Sequence, residues 1–340
     1  MVFAGLFIIL AVVLCVPFFA KKIEEELEIF LFVMGCMAVT VTSQWSVLLI
    51  KGALIEPVKI TTAVFIAGFL FRKLQRPIAH HVNKIADAVG LKLFAFLVII
   101  ALGFFSSIMT AIIAALVLVE IISHLTLDRK HEVFFVVLTC FAIGLGAALT
   151  PIGEPLSTIV IAKLKGQPYQ ADFFFLFKHL WHYVIPGVVV FGIIGAIIIP
   201  DKRQKKHGLH EDKEENIKDI SIRSIKVYFF VMALVFLGNG FRPIIDAFVV
   251  KIPHQGIYWL NMVSAVLDNA TLAAAEISPS LGLLQIKSAL LGLLIAGGML
   301  IPGNIPNIIA AGKLKIKSSE WAKFGVPLGL LAMVVYFFLL

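Results

Sequence analysis

The stretch Ser264-Ala265-Val266-Leu267-Asp268-Asn269-Ala270-Thr271 places a carboxylate, an amide and two hydroxyls inside an otherwise apolar segment. An ionisable side chain at membrane depth costs roughly 3 kcal/mol or more, so such a group indicates a functional site. Asp and Asn also cap helices, and a simple capping role for Asp268 at the water interface is the alternative. The rest of the chain decides between these two interpretations.

The composition is that of a membrane protein. Hydrophobic residues make up 60% of the 340 residues and charged residues 15%, whereas soluble domains are about half apolar and a quarter charged. Apolar segments recur to the last residue, which predicts a polytopic, all-α protein of the plasma membrane. Cys15, Cys36 and Cys140 have no paired spacing, so no disulfide framework or metal site is expected. The net charge of +8 sits in a few loops and suggests no nucleic-acid partner.

The N-terminal part of the chain predicts three simple spans. They are Val2–Ala20, Ile29–Ile50 and Val58–Phe71, the last preceded by Pro57. A basic connector, residues 72–77, ends in Pro77. Residues 78–90 then have apolar side chains at helical spacing against polar ones, which is typical of an amphipathic helix in the membrane interface.

Four later apolar segments are interrupted near their middles. Polar residues interrupt 91–124 and 257–284, and each of these segments predicts a re-entrant hairpin of two short helices meeting at an unwound tip. Proline and glycine interrupt 133–162 and 288–311, which predicts two broken transmembrane helices. Irregular backbone at membrane depth is tolerated only where it is buried in protein or lines a wet cavity.

The interrupted segments occur in the same order on both sides of a polar linker. Ser106–Thr110 corresponds to Ser264–Asp268, and Leu149–Pro155 corresponds to Leu300–Pro306. An Arg-Pro-Ile triplet before each hairpin and a Lys-Leu-Lys triplet after each broken helix add two further matches, which together indicate a duplication. The predicted organisation is two N-terminal scaffold spans (1–57), a first repeat (58–200), a cytoplasmic linker (201–223) and a second repeat (224–340).

The basic loops predict the orientation of these repeats. With the N-terminus outside, the strongly basic stretches all fall inside, as expected for a membrane protein. This topology has eight spans, two hairpins entering from opposite sides, and both termini outside. The repeats are therefore inverted. Inverted repeats with broken helices in corresponding positions are typical of secondary transporters whose site lies at the membrane midplane.

The interruptions supply oxygen ligands of the kind that hard cations prefer. Two carboxylates, Asp268 and Glu154, would titrate as a pair if the repeat interface brought them together. A sodium ion is expected at Ser106, Thr110, Asp268 and Asn269. The candidate ion-binding residues are Asp268, Asn269, Thr271, Ser264, Ser106, Ser107, Thr110, Thr150, Gly153, Glu154, Asn304 and Asn307.

Simpler roles for these side chains remain open. The hydroxyls could serve close helix packing, and Asn304 and Asn307 could satisfy backbone groups freed by the prolines. Glu154 could lie at the outer mouth. Glu120 and Glu276 lie near the ends of the predicted hairpins and are expected to be interfacial.

Two motifs resemble a known superfamily. The string Asp268–Thr271 resembles the Asp-Asn-hydroxyl hairpin of NhaD-type sodium/proton antiporters in the ion transporter superfamily, and residues 153–155 are similar to a Gly-Asp-Pro element there, with Glu for Asp. That superfamily also contains arsenite permeases and divalent-anion/sodium symporters. The layout from Val58 to Leu340 fits a small branch of it. The first hairpin departs from the symporters, because Ser106–Thr110 stands where they show Ser-Asn-Thr.

The resemblance, together with the negative charge of Asp268, implies a secondary transporter that exchanges sodium for protons by alternating access. The alternative is sodium-coupled uptake of a dicarboxylate or an inorganic oxyanion, because bound sodium would neutralise Asp268. An enzyme is not expected, since no activated nucleophile or metal constellation is present. A channel fits the broken helices less well than an occluded site does. Sodium and protons are the only expected ions, without another cofactor. The expected partners are the lipid bilayer and a second copy of the chain.

Overall fold

The computed structural model describes residues 2–19, 23, 26–125, 127–200, 217–265 and 269–340, and every regular element in these ranges is helical. Three short 3₁₀ helices span Val249–Lys251, Asn261–Ala265 and Ile301–Gly303. The α-helices are α1 (Val2–Phe19), α2 (Leu27–Val41), α3 (Val47–Val89), α4 (Leu91–Met109), α5 (Ala111–His124), α6 (Arg129–Ala147), α7 (Pro155–Leu164), α8 (Phe175–Ile198), α9 (Ile217–Gly240), α10 (Arg242–Ala247), α11 (His254–Leu260), α12 (Asn269–Glu276), α13 (Leu283–Gly297), α14 (Ile305–Leu314) and α15 (Ser318–Leu339).

Among the described helices, five are long and apolar enough to cross a membrane. They are α4, α6, α8, residues Ile220–Gly240 of α9, and α15. Large apolar side chains such as Val47, Leu48 and Phe338 are more than four-fifths exposed, as expected of a surface that faces lipid. The predicted class, an all-α membrane protein, is confirmed at this level.

The N-terminal region differs from its prediction. Helix α2 ends at Val41, and α3 is one continuous helix in which Pro57 and Pro77 are internal. Its start is fixed by Ser46, whose hydroxyl accepts a hydrogen bond from the Leu49 amide at 3.1 Å. The predicted helix breaks between Ile50 and Val58 and at the basic connector are therefore wrong, whereas the domain boundary at residue 57 stays a prediction. At 1.5 Å per residue, α3 is about 64 Å long, roughly twice the hydrocarbon thickness.

Helices α6 and α13 form the centre of the molecule. Nearly every residue from Glu132 to Ala147 and from Ser288 to Gly297 is buried. Helix α6 packs on α4 and α8, α13 packs on α11 and α15, and α6 and α13 contact each other. The crossing of α4 and α6 is close, because a Cβ on Gly146 would overlap the Gly103 carbonyl.

The helices are interrupted where the sequence predicted interruptions. Thr110 separates α4 from α5, residues 148–154 separate α6 from α7, and residues 298–304 separate α13 from α14. At the fourth predicted interruption, α11 ends at Leu260 and a 3₁₀ turn follows it to Ala265. Helix α12 begins at Asn269, and residues 266–268 lie outside the described part of the chain.

The two proline-containing interruptions share one local geometry at a constant offset of 150 residues. Helices α7 and α14 both have ten residues, and their N-cap residues Glu154 and Asn304 are both extended, with φ of −155° and −152°. Gly153 and Gly303 each lie against the last turn of the preceding helix with no room for a Cβ. The structural register thus differs by one residue from the alignment made from the sequence, and it pairs Glu154 with Asn304.

Candidate functional site

The first interruption of the chain contacts the second. The Ala111 amide, at the start of α5, donates to the Gly153 carbonyl at 2.7 Å, and the Thr150 hydroxyl donates to the Ser107 carbonyl. Thr110 between them has φ of +76°, a left-handed conformation that a non-glycine residue rarely adopts. Such a conformation persists only where the surroundings fix it, and it is concentrated at functional sites.

The serines of the first half are used in packing. The Ser106 hydroxyl donates to the carbonyl of Ile143 at 3.1 Å, which ties α4 to α6. The Ser107 hydroxyl donates to Phe104 in its own helix at 2.6 Å, and the Ser157 hydroxyl donates to a carbonyl at the end of α6 at 3.1 Å. Because each hydroxyl proton is already donated, only the oxygen lone pairs remain for a ligand.

The second half repeats these contacts. The Ser264 hydroxyl donates to the Leu293 carbonyl at 3.2 Å, and Leu293 lies 150 residues after the acceptor of Ser106. Asn307 lies 150 residues after Ser157 and likewise bonds the end of the preceding helix. Its Nδ2 donates to the carbonyls of Gly297 at 2.8 Å and Leu300 at 2.9 Å.

Two buried amide atoms of the candidate ion-binding residues lack a partner within the described ranges. They are Oδ1 of Asn307 and Nδ2 of Asn269. The residue Asn307 is fully buried, and the residue Asn269 is 2% exposed. The Asn307 orientation is fixed, because Nδ2 must face two carbonyls. A buried polar atom without a partner costs roughly 1–3 kcal/mol. A cation at Oδ1 would remove that cost.

One cavity of about 260 Å³ joins the two halves. Thr110, Gly153 and Glu154 line it from the first half, and Asn304 lines it from the second. Its volume is close to the lower end of the roughly 300–1,000 Å³ typical of small-ligand sites. Thr110, Glu154 and Asn304 are the N-cap residues of α5, α7 and α14, so three helix N-termini meet at this cavity.

The polar residues of the cavity are themselves buried. Glu154 is 5% exposed and Asn304 is 2% exposed. Asn304 reaches across to α6, where Gly144 leaves room for it: a Cβ on Gly144 would lie 2.6 Å from Asn304 Nδ2. The partial positive charge at the start of α7 stabilises a carboxylate at its N-cap. Glu154 is therefore a buried acid at a cavity that residues of both halves of the chain line.

Part of the predicted site cannot be placed. Asp268 and the side chain of Thr271 lie outside the described residues, so the pairing of Asp268 with Glu154 stays a prediction. Among the residues that are described, no hydrogen bond joins Ser106 or Thr110 to Asn269, and Asn269 does not line the cavity. The sodium site that combines these residues with Asp268 also stays a prediction.

Several residues at the site were not found from the sequence. Val227 and Phe230 of α9 cover the cavity, and Gly144 accommodates Asn304. Apolar residues in a long span look alike whether they face lipid or a cavity, so no signal marked the first two. The Gly-Leu-Gly spacing around Gly144 was an available signal for close packing. Glu276, expected to be interfacial, has a buried carboxylate oxygen.

A family model described as "Protein of unknown function (DUF1646)" matches residues 3–340. The chain therefore belongs to this family. The match includes all four interruptions and the cavity between them, so these features lie within the family's own extent. No curated protein matches the chain.

Proposed function

We propose that the protein is a secondary active transporter that exchanges sodium for protons across the plasma membrane by alternating access. In this proposal residues 58–200 and 224–340 are inverted repeats, each with a re-entrant hairpin and a broken transmembrane helix. Both termini lie outside, and a second copy of the chain is the expected partner. Bound sodium and protons are the transported ions.

The observation that carries the proposal is the cavity that residues of both proposed repeats line, with the buried Glu154 among its lining residues. An ionisable residue within a membrane protein marks an ion or proton pathway by default. Thr110, Thr158 and Asn304 line the same cavity and carry hydroxyl and amide oxygens. These are the ligands that sodium takes from a protein.

The repeat assignment is supported by the way the halves pack. Helix α5 of the first half packs on α14 of the second, and α12 of the second half packs on α7 of the first. One short helix from each half thus packs against a short helix of the other half. Together with the offset of 150 residues, this packing is expected of two inverted copies that share a central site.

The chemistry follows from Glu154, which supplies the one carboxyl group among the described residues that line the cavity. When Glu154 is ionised, it attracts a cation to the oxygens of Thr110 and Asn304. When it is protonated, the same oxygens lose their charged partner and the cation leaves. Competition of one proton with one cation for one carboxylate couples the two fluxes. Asp268 would add a second titrating group from the opposite repeat.

The test is sodium flux in liposomes that contain the purified full-length chain. A proton gradient should drive sodium movement in the wild type, and Glu154→Gln and Asp268→Asn should each reduce it at least tenfold. Glu120→Gln is the matched control, because Glu120 is buried on α5 but does not line the cavity and pairs with His124. Full exchange in both Glu154→Gln and Asp268→Asn would sink the assignment.

A second candidate, sodium-coupled uptake of a small anion, is favoured by one observation. Three helix N-termini meet at the cavity, and such termini attract anions. Glu154 opposes an anion unless a proton or a cation neutralises it. Sodium-dependent, proton-independent uptake of a dicarboxylate or an oxyanion would select this function, and Glu154→Gln would then retain uptake.

A further inference from the structure

Asn261 and Glu276 lie on opposite sides of Asp268 in the chain, on two arms formed by residues 254–265 and 269–276. Asn261 lies seven residues before Asp268, at the end of α11, and Glu276 lies eight residues after it, at the end of α12. The 3₁₀ turn that begins at Asn261 packs against α12, and the Asn261 side chain lies beside the Glu276 carboxyl group. Two residues so far from the tip on opposite arms can meet only where the arms lie side by side.

Two acceptor oxygens in this pair have no donor. Asn261 is 1% exposed, and its Nδ2 donates to the Ala289 carbonyl of α13 at 3.2 Å. Asn261 Oδ1 and Glu276 Oε2 are both buried, and neither has a hydrogen-bond partner in the described part of the chain. An amide oxygen and an ionised carboxylate can only accept hydrogen bonds, so what the pair lacks is a hydrogen to donate.

We propose that Glu276 and Asn261 form a proton-binding site in the segment 257–284, and that Glu276 holds the proton when the two arms pack as they do here. A protonated carboxyl group gains an O–H donor, and one buried acceptor then becomes a donor. A buried carboxylate without a cationic partner is costly in its ionised form, and no ion pair to Glu276 exists among the described residues.

The charged groups around α12 do not supply that cation. Lys163 of α7 uses its ammonium group on the Ala274 carbonyl, one turn from the end of α12. Arg242 pairs with Asp246 on α10. Helix α9 meets α12 at Gly238, and its lysines lie near its other end. The ionisable residues on the helices packed against α12 are Lys163, Arg242, Asp246 and Lys287, together with Lys218, Asp219, Arg223, Lys226 and Tyr228 in the first half of α9.

This site is distinct from the cavity. Neither Asn261 nor Glu276 lines the cavity. When Ser106 is aligned with Ser264, an offset of 158 residues, Glu276 corresponds to Leu118 in the first half. The proton would therefore add a titrating group to the second repeat alone. Its presence does not depend on the proposed transport, although its role in coupling does.

The test is infrared difference spectroscopy of the purified full-length chain in lipid nanodiscs, titrated with acid and base. The wild type should show the carbonyl stretching band of a protonated carboxylic acid at neutral pH. Glu276→Gln should lose that band, and Glu120→Gln should keep it. Asn261→Leu removes the oxygen that would accept the hydrogen of the protonated carboxyl group, so the band should disappear at a pH about one unit lower than in the wild type.

Two results would overturn the proposal. Identical spectra for the wild type and Glu276→Gln, with both chains folded by circular dichroism, would show that Glu276 is ionised. Loss, on addition of sodium at constant pH, of the band that Glu276→Gln lacks would show that the Glu276 and Asn261 oxygens bind the cation instead. Because the spectra require no flux, a protein that failed to exchange sodium could still show the Glu276 proton.

Discussion

Replacing Asn307 with serine separates the packing role of this side chain from its role as a ligand. Asn307 Nδ2 donates one hydrogen bond to Gly297 at the end of α13 and one to Leu300 in the interruption that follows, and its buried Oδ1 has no partner in the described ranges. Serine occupies the corresponding position of the first half, where Ser157 donates one bond to the end of α6. Asn307→Ser therefore places in the second half a side chain that the same local backbone already accommodates.

The magnitudes differ between the sodium-free and sodium-bound protein. Without sodium, the variant loses one donated hydrogen bond, worth about 1 kcal/mol, and also loses the unpaired oxygen, which costs roughly 1–3 kcal/mol. The free energy of unfolding should then stay about the same or rise by up to about 2 kcal/mol. With sodium at 100 times its dissociation constant, the wild type gains about 2.7 kcal/mol. If the Oδ1 ligand contributes about 2 kcal/mol of that gain, the variant should retain roughly 1 kcal/mol.

The assay is thermal unfolding of the purified full-length chain in detergent, with sodium replaced by choline at constant ionic strength. The wild type should unfold at a higher temperature in sodium, and Asn307→Ser should lose most of that increase. Ser157→Ala is the matched control, since it loses a bond at the corresponding position and should keep the increase. An undiminished sodium effect in Asn307→Ser would refute the assignment of Oδ1 as a cation ligand.

Three further predictions concern packing, and thermal unfolding in detergent checks each of them. Gly153→Ala should destabilise the fold by several kcal/mol, because its Cβ has no room, whereas Gly312→Ala faces open space and should change the free energy of unfolding by less than about 0.5 kcal/mol. Arg129→Ala should cost about 2 kcal/mol, because Arg129 bonds both oxygens of Glu320 and two carbonyls at the end of α14; a double-mutant cycle with Glu320→Ala that shows no coupling would contradict this. Lys163→Met should cost about 1–3 kcal/mol by leaving a carbonyl of α12 without its donor, and wild-type stability would exclude that contact.

The helix interruptions could be predicted because each has a local signal. Thr110, Gly153 and Asn304 all interrupt apolar runs, and polar or glycine residues there have no packing reason unless the chain is unwound. The continuity of α3 through Pro57 could not be predicted, since a proline marks a helix end in most contexts and only tertiary contacts decide the exceptions. The apolar residues of α9 that cover the cavity were missed for the same reason, because facing lipid and facing a cavity require the same side chains.

The residues that differ between the halves are more informative than those that match. In the structural register Glu154 corresponds to Asn304, and the sequence alignment pairs Thr110 with Asp268. Each pair has one acid and one neutral oxygen ligand, and the acid is in a different half in each pair. In the proposed transporter, two acids at equivalent positions of the inverted repeats would face each other across the pseudo-symmetry axis and repel. Acids at non-equivalent positions would instead place two titrating groups at one interface, where a single cation or proton could satisfy either.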